Sequence, residues 1–198
     1  MINRRGGSSR SPKYQTPRGM EKTMKLSDLG DRICIMGPSN SGKSTLANAI
    51  ARKRNLDVIH LDQLFHVPHS NWQERPFHEF LLLHDMAINK ESWVIDGNYK
   101  RCLPQRLSRA TGLILLDVST LSSLLRYVNR TLFQYQRYGA LEGGIDRLNW
   151  KMFHHIAAVT PKNRKHYAEL FDALTLPKIR LASIKDINKQ FDEWELTR

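Results

Sequence analysis

Lys43 and Ser44 close the run Gly37-Pro38-Ser39-Asn40-Ser41-Gly42-Lys43-Ser44, which has the spacing G-x-x-x-x-G-K-[ST]. Each residue type has a task in holding a nucleoside triphosphate. Gly37 and Gly42 permit backbone angles and close approaches that a side chain would block. The amides of the loop, through Thr45, then converge as an anion nest at the positive end of a helix. Lys43 brings a charge to the β- and γ-phosphates, and Ser44 brings a hydroxyl to Mg²⁺. The expected ligands are therefore ATP and Mg²⁺. A plain Gly/Ser turn opening a helix is the alternative. The flanks favour the first reading, because Arg32–Met36 is a short apolar strand-like run and Thr45–Ala51 is helix-like.

A second candidate for chemistry is Asp62, at the end of the strand-like run Asp57–Asp62. Open α/β sheets bind ligands beyond the carboxyl ends of their strands, so Asp62 is expected on the acceptor side. A carboxylate there can take the proton of an acceptor hydroxyl, a service that a phosphate acceptor does not need. Its plain alternative is a loop aspartate bonded to local backbone. Phe65, Trp72, Arg75, Phe77, Phe80 and Tyr99 surround this stretch with aromatic faces and one cation, as a flap over a ring would. Phe77 and Phe80 fit core better than ligand contact.

Arg126 and Arg130 stand four residues apart, on one face of a predicted helix, and Arg137 lies seven further on. Such arginines on a closing lid would stabilise the charge spread over a transferring phosphoryl group. Gly139, Gly143 and Gly144 suit the hinge of that lid. A solvated basic face is the alternative.

The elements that must position these groups alternate. Strands are expected at Arg32–Met36, Asp57–Asp62, Trp93–Asp96, Leu113–Asp117 and Ile179–Leu181. Helices are expected after the loop, over Arg75–Asn89, Thr120–Tyr138, Asp146–Val159 and Asn163–Leu174, and over Ile184–Leu196 at the end. That alternation predicts an α/β fold with a parallel sheet covered on both faces.

The chain has 198 residues and a formal net charge of +12. One domain accommodates that length. Arg4, Arg5, Arg10, Lys13 and Arg18 carry five of those charges, leaving +7 for the remainder. Residues 1–25 are rich in Arg, Ser, Gly and Pro without apolar periodicity, and are expected to be a disordered basic tail ahead of a domain over 26–198. A basic body suits a protein that holds several phosphates, and also nucleic acid, although no nucleic-acid motif is recognisable. No apolar stretch is long enough for a membrane span. Cys34 and Cys102 lack metal-ligand company and read as reduced thiols of a cytoplasmic protein. The loop pair His66/His69 lacks a clear third ligand, and the adjacent His154 and His155 point in different directions on a helix, so no transition-metal site is expected.

From about Asp31 onward the layout resembles the nucleoside-monophosphate kinase group. The phosphate loop, Asp62 after strand two, Asp96-Gly97 after strand three and an arginine-bearing helix after strand four carry the likeness. His60–Phe65 with Pro68 and Trp72, and then Trp93–Tyr99, are similar to the small adenylate-kinase-like proteins often labelled DNA topology modulation proteins. The resemblance implies a P-loop NTPase fold with five strands in the order 2-3-1-4-5, a flap over about residues 62–91 and a lid over about 126–150. With that order strand three ends beside the phosphate loop. Asp96 then becomes the candidate carboxylate that joins Ser44 in holding Mg²⁺, with an Asp-Gly turn as its alternative. Asp117 is expected in a turn or helix-cap role. Similarity to shikimate-type kinases, which phosphorylate a hydroxyl, strengthens the role given to Asp62. The group's Asp-Gly-Phe-Pro-Arg run is here Asp96-Gly97-Asn98-Tyr99-Lys100-Arg101. Asn98, Lys100 and Arg101 are therefore acceptor-side candidates, together with Phe65, Trp72 and Arg137, and AMP is disfavoured as the acceptor.

These residues predict an ATP-dependent phosphotransferase acting on a small acceptor, with Lys43, Asp62, Arg126 and Arg130 in the chemistry. A nucleic-acid-associated P-loop ATPase is the alternative from another class. The oligomeric state is not legible.

Overall fold

In three of the strands successive side chains enter two different cores. Ile33 and Ile35 of strand β1 (Arg32–Met36) pack on one face of the sheet, and Cys34 and Met36 pack on the other. Strands β3 (Trp93–Asp96) and β4 (Gly112–Leu116) divide in the same way, with Val94, Ile114 and Leu116 opposed to Trp93, Ile95, Leu113 and Leu115. A strand buried on both faces reads as a continuous apolar run, which is why these three segments stand out in the sequence.

The structure is a computed structural model that describes residues 24–70, 72–133 and 160–198, with the side chains of 130–133 and 160–162 left out. Strands β2 (Val58–His60) and β5 (Lys178–Leu181) complete a five-stranded sheet in the order β2-β3-β1-β4-β5, and every pairing is parallel. Helix α1 (Lys43–Arg54) and the last helix, α7 (Ile184–Glu193), cover one face through Leu46, Ile50, Ile187 and Phe191. Helices α3 (Phe77–Ile88), α4 (Leu103–Arg109) and α6 (Thr160–Ala173) cover the other through Phe80, Leu103, Tyr167 and Phe171. The expected doubly covered parallel sheet is present.

Several local boundaries differ from the expectation. Strand two ends at His60, and Leu61–Phe65 winds into a short helix, α2, so Asp62 lies in a helical first turn. Helix α4 was not anticipated, because Pro104 interrupts a short segment; proline is tolerated there because the first turn needs no amide donor. Met24 and Lys25, expected in the tail, belong to the body. The Trp194 indole donates to the Met24 carbonyl at 2.9 Å, and Lys25 caps a short 3-10 turn over Leu26–Leu29. Helix α5 is described over Thr120–Phe133. The expected Asp146–Val159 helix and most of the lid, Arg137 included, lie outside the described residues.

Asp117 does not take the cap role expected of it. The cap-type contact near the start of α5 belongs to Ser119, whose hydroxyl accepts from the Ser122 amide at 3.2 Å. The Asp117 carboxylate instead accepts from Arg164 Nε at 2.6 Å and from Arg180 Nη2 at 2.5 Å, tying β4 to α6 and β5. Burial pushes the carboxyl up, but the two arginines outweigh it and hold it below its ordinary value of 3.8. Such a group stabilises the fold above its unfolded-state pKa and loses that contribution as pH falls through the lowered folded value. Asp117→Asn is expected to cost about 1.5–3 kcal/mol at neutral pH, the usual worth of hydrogen bonds to charged groups. The arginine side chains are 34% and 41% exposed, which argues against the larger cost of a fully buried pair. Urea titrations at pH 7 and at pH 3 check this, since the wild-type advantage should shrink at the lower pH.

Candidate functional site

The loop between β1 and α1 is built on left-handed backbone. Gly37, Asn40 and Gly42 have φ of 148°, 61° and 101°. At Gly37 the space is also closed, because a Cβ there would sit 2.4 Å from the Leu116 carbonyl oxygen of β4. Gly42 precedes α1 without a capping side chain, so the first amides of the helix are left to the loop or to an anion. Lys43 Nζ donates to the Pro38 carbonyl at 2.8 Å, and the Ser41 amide donates to the same oxygen at 3.3 Å. Ser41 Oγ is buried and has no hydrogen-bond partner among the described residues, which leaves it available to a ligand. Ser39 and Thr45 flank these groups, half-buried, in the loop and in the first turn of α1.

Strand order brings β3 beside β1, and the Ser44 hydroxyl donates to Asp96 Oδ2 at 2.7 Å. The two expected metal-side residues are therefore adjacent, although they lie 52 positions apart in the chain. A hydroxyl and a carboxylate are hard oxygen donors of the kind Mg²⁺ accepts. The other carboxylate oxygen, Oδ1, is 2.5 Å from His60 Nδ1, a partner that the sequence reading did not assign.

Asn98, expected to face the acceptor, has its amide on the loop instead. Its Oδ1 accepts from the Gly37 amide at 3.2 Å, and its Nδ2 donates to the Gly37 carbonyl at 2.9 Å. Arg106, fully buried and also unassigned by the sequence, holds this turn from behind. Its Nη2 donates to the Gly97 and Asn98 carbonyls at 2.9 and 3.1 Å, and its Nε donates to Cys34 Sγ at 3.3 Å. His84, also fully buried, sits 3.5 Å from Arg106 Nη1. Burial, and then the Arg106 charge, lowers its pKa. A buried, positively charged partner of that kind marks His84 as part of the packing behind the site.

Beyond the end of β2, the Tyr99 hydroxyl donates to Asp62 Oδ1 at 2.7 Å. Burial, and then the Asp62 charge, keeps the Tyr99 phenol protonated far above its ordinary value of 10.0. The Tyr99 ring packs against Phe65 and Phe80, with centroids 5.1 and 5.0 Å apart. Phe80 is core, as expected. Beyond Phe65 the chain folds back as a hairpin, with Arg75 N bonded to Phe65 O at 2.7 Å and a bridge between His66 and Glu74. The Trp72 ring sits at the tip of the hairpin, edge-on to His66. Arg101 stacks on Phe77 of α3 at 3.7 Å, and Lys100 donates to Asn163 of α6 at 2.8 Å. Both expected acceptor cations thus bridge from the β3 turn to neighbouring helices.

Arg126 of α5 reaches the loop that precedes α1. A Cβ on Gly42 would lie 3.2 Å from its Nη2. Burial, and secondarily the Arg198 charge, lowers its pKa. An anion bound nearby would favour the charged form that burial disfavours. Of Arg130 only the backbone is described, within α5.

Among the described residues no cluster of three or more His, Cys, Asp or Glu could hold a metal ion, and no helix is long and apolar enough to cross a membrane. A scan of family models and a search of curated proteins each found no match. Solved structures do match. The shikimate kinase of Bacteroides thetaiotaomicron is 17% identical with a TM-score of 0.51, and the similarity covers 84% of this chain and 99% of that one. The shikimate kinase of Aquifex aeolicus vf5 is 18% identical with a TM-score of 0.49, over 83% of this chain and 96% of that one. Together with the strand order, the Bacteroides structure shows the fold expected from the sequence, a P-loop NTPase sheet in the order 2-3-1-4-5 with helices on both faces. The narrower likeness to proteins labelled DNA topology modulation proteins gains no support from these matches.

Proposed function

We infer that this protein is an ATP- and Mg²⁺-dependent phosphotransferase that phosphorylates a hydroxyl group of a small acceptor. The observation that carries this reading is a pair of carboxylates in unlike settings beyond the carboxyl ends of adjacent strands. Asp96, after β3, is buried on the Ser44 hydroxyl. Asp62, just after β2, is exposed and oriented by Tyr99. A protein that only binds or hydrolyses ATP has use for the first and none for the second.

The residues fit the ligands. The open amides of α1, the buried Ser41 hydroxyl and Lys43 suit a polyphosphate, and Ser44 with Asp96 suits a hard divalent cation. When bound, Mg²⁺ neutralises charge that develops on the β- and γ-phosphoryl oxygens. Lys43 would exchange its Pro38 carbonyl for a phosphate oxygen, and Arg126 would add charge from the α5 side. Asp62 would orient the acceptor hydroxyl and take its proton, while the Phe65–Tyr99–Phe80 cluster fixes the wall behind it.

The test is an acceptor screen that follows ADP release, with nucleosides, nucleotides, sugars, shikimate and oligonucleotides as candidates. Release stimulated by one small hydroxyl compound, with a phosphorylated product, is the expected result. Release that ignores every small compound but rises with oligonucleotides would replace this reading with a nucleic-acid-associated ATPase.

A further inference from the structure

We propose that His60, held by Asn48, is a positioning residue that sets the Asp96 carboxylate for the metal side of the phosphate loop. The inference rests on the reading of Ser44 and Asp96 as the Mg²⁺ pair.

Three elements meet at this point. Strands β2 and β3 pair in parallel with His60 opposite Asp96, so the register alone makes the two residues neighbours. The imidazole and the carboxylate side chains are 8% and 6% exposed. Asn48 stands one turn beyond Ser44 on α1, on the same helix face. The chain of contacts therefore runs from α1 to β2 to β3 and returns to α1 at Ser44.

The hydrogens in this chain can be assigned from the partners. The Ser44 carbonyl can only accept, so the Asn48 atom 2.9 Å from it must be the amide nitrogen, Nδ2. The same nitrogen lies 2.9 Å from His60 Nε2 and has a second hydrogen to give. Nε2 is then the lone-pair nitrogen, and the ring hydrogen sits on Nδ1, 2.5 Å from Asp96 Oδ1. The imidazole thus gives its single hydrogen to one carboxylate oxygen. The other, Oδ2, is left on the Ser44 side, where it accepts at 2.7 Å.

The consequence is orientational. The terminal torsion of an aspartate is broad and roughly two-fold, so a carboxylate with one partner can rotate. A buried donor on Oδ1 removes that freedom and keeps Oδ2 beside the Ser44 hydroxyl. Partners of this kind, one contact away from a metal, commonly change metal affinity 10–100-fold when removed. His60 also lies two residues before Asp62, so a general distortion would reach the acceptor side as well. The test must therefore read the metal, not only turnover.

The experiment measures the affinity of the full chain for a fluorescent ATP analogue as a function of Mg²⁺ concentration. The variants are His60→Gln, His60→Asn, Asn48→Ala and Asp96→Asn. An asparagine amide nitrogen falls near the place of Nδ1, whereas that of glutamine falls near Nε2. His60→Gln is expected to raise the Mg²⁺ needed for half-maximal tightening roughly 10-fold, with metal-free affinity unchanged. His60→Asn should stay close to wild type, and Asn48→Ala should shift the same way as His60→Gln by a smaller factor. An unshifted Mg²⁺ requirement in both His60→Gln and Asn48→Ala, while Asp96→Asn is shifted, overturns the positioning role alone. Equal losses in His60→Asn and His60→Gln overturn the assignment of the donor to Nδ1. If Asp96→Asn itself leaves the Mg²⁺ requirement unchanged, the metal pair falls, and the proposal with it.

Discussion

Lys43→Ala is expected to remove ATP turnover almost completely while leaving the protein folded. In the structure Lys43 Nζ closes the loop on the Pro38 carbonyl, a half-buried contact whose loss costs about 1 kcal/mol, the net worth of one hydrogen bond. Against that small structural cost stands the loss of the charge that the proposed function assigns to the β- and γ-phosphates. Removing one preorganised donor to a developing charge lowers rates about 10²–10³-fold. The two effects differ enough to be separated by one thermal melt and one rate measurement. Ser44→Ala should act through a different step. It removes the hydroxyl that Asp96 accepts, so turnover should fall while the Mg²⁺ requirement rises. Undiminished ATP turnover in either variant would end the reading of residues 37–44 as a nucleotide site.

The tight loop over residues 37–44 was legible because its glycines lie at a fixed short spacing, where spacing is the whole signal. The sheet was legible for a related reason, since β1, β3 and β4 are buried on both faces and advertise themselves as apolar runs. What stayed hidden depends on register. His60 reads as one more strand residue until β2 is laid beside β3, and only then does it meet Asp96. Asn48 has no meaning in the sequence beyond a polar residue in a helix. Arg106 looks like a surface arginine of a short segment, yet it is fully buried and holds the Gly97 and Asn98 carbonyls. Asp117 was misjudged because its partners, Arg164 and Arg180, come from elements more than 40 positions further along the chain. In each case the missing information is which strand ends or helices are neighbours, and local pattern does not encode that.

The same limit applied to Asp62 in a milder form, and its consequence is the sharpest test of the chemistry. Asp62 was expected at the carboxyl end of strand two and lies two residues past it, in the first turn of α2, and the Tyr99 hydroxyl on Oδ1 was not foreseen. That contact makes Asp62→Asn an unusually clean substitution, because an asparagine oxygen can still accept from Tyr99. The Phe65–Tyr99–Phe80 packing should survive, and stability should change little. What disappears is the ability to take a proton. Acceptor-dependent transfer is then expected to fall about 10²–10⁴-fold, the usual size of a general-base contribution. ATP affinity should barely move, because the phosphate loop and Asp96 are untouched. Tyr99→Phe is the companion variant. It keeps the ring in the aromatic cluster and frees the carboxylate to turn, so it should cost far less in rate than Asp62→Asn and should leave transfer dependent on Asp62. A phosphate-bearing acceptor would give another pattern, with the Asp62→Asn loss confined to acceptor affinity. A transfer rate within a few-fold of wild type on the identified acceptor would remove Asp62 from the chemistry. Weight would then move to Lys100 and Arg101, which would have to leave Asn163 and Phe77 to grip an acceptor phosphate.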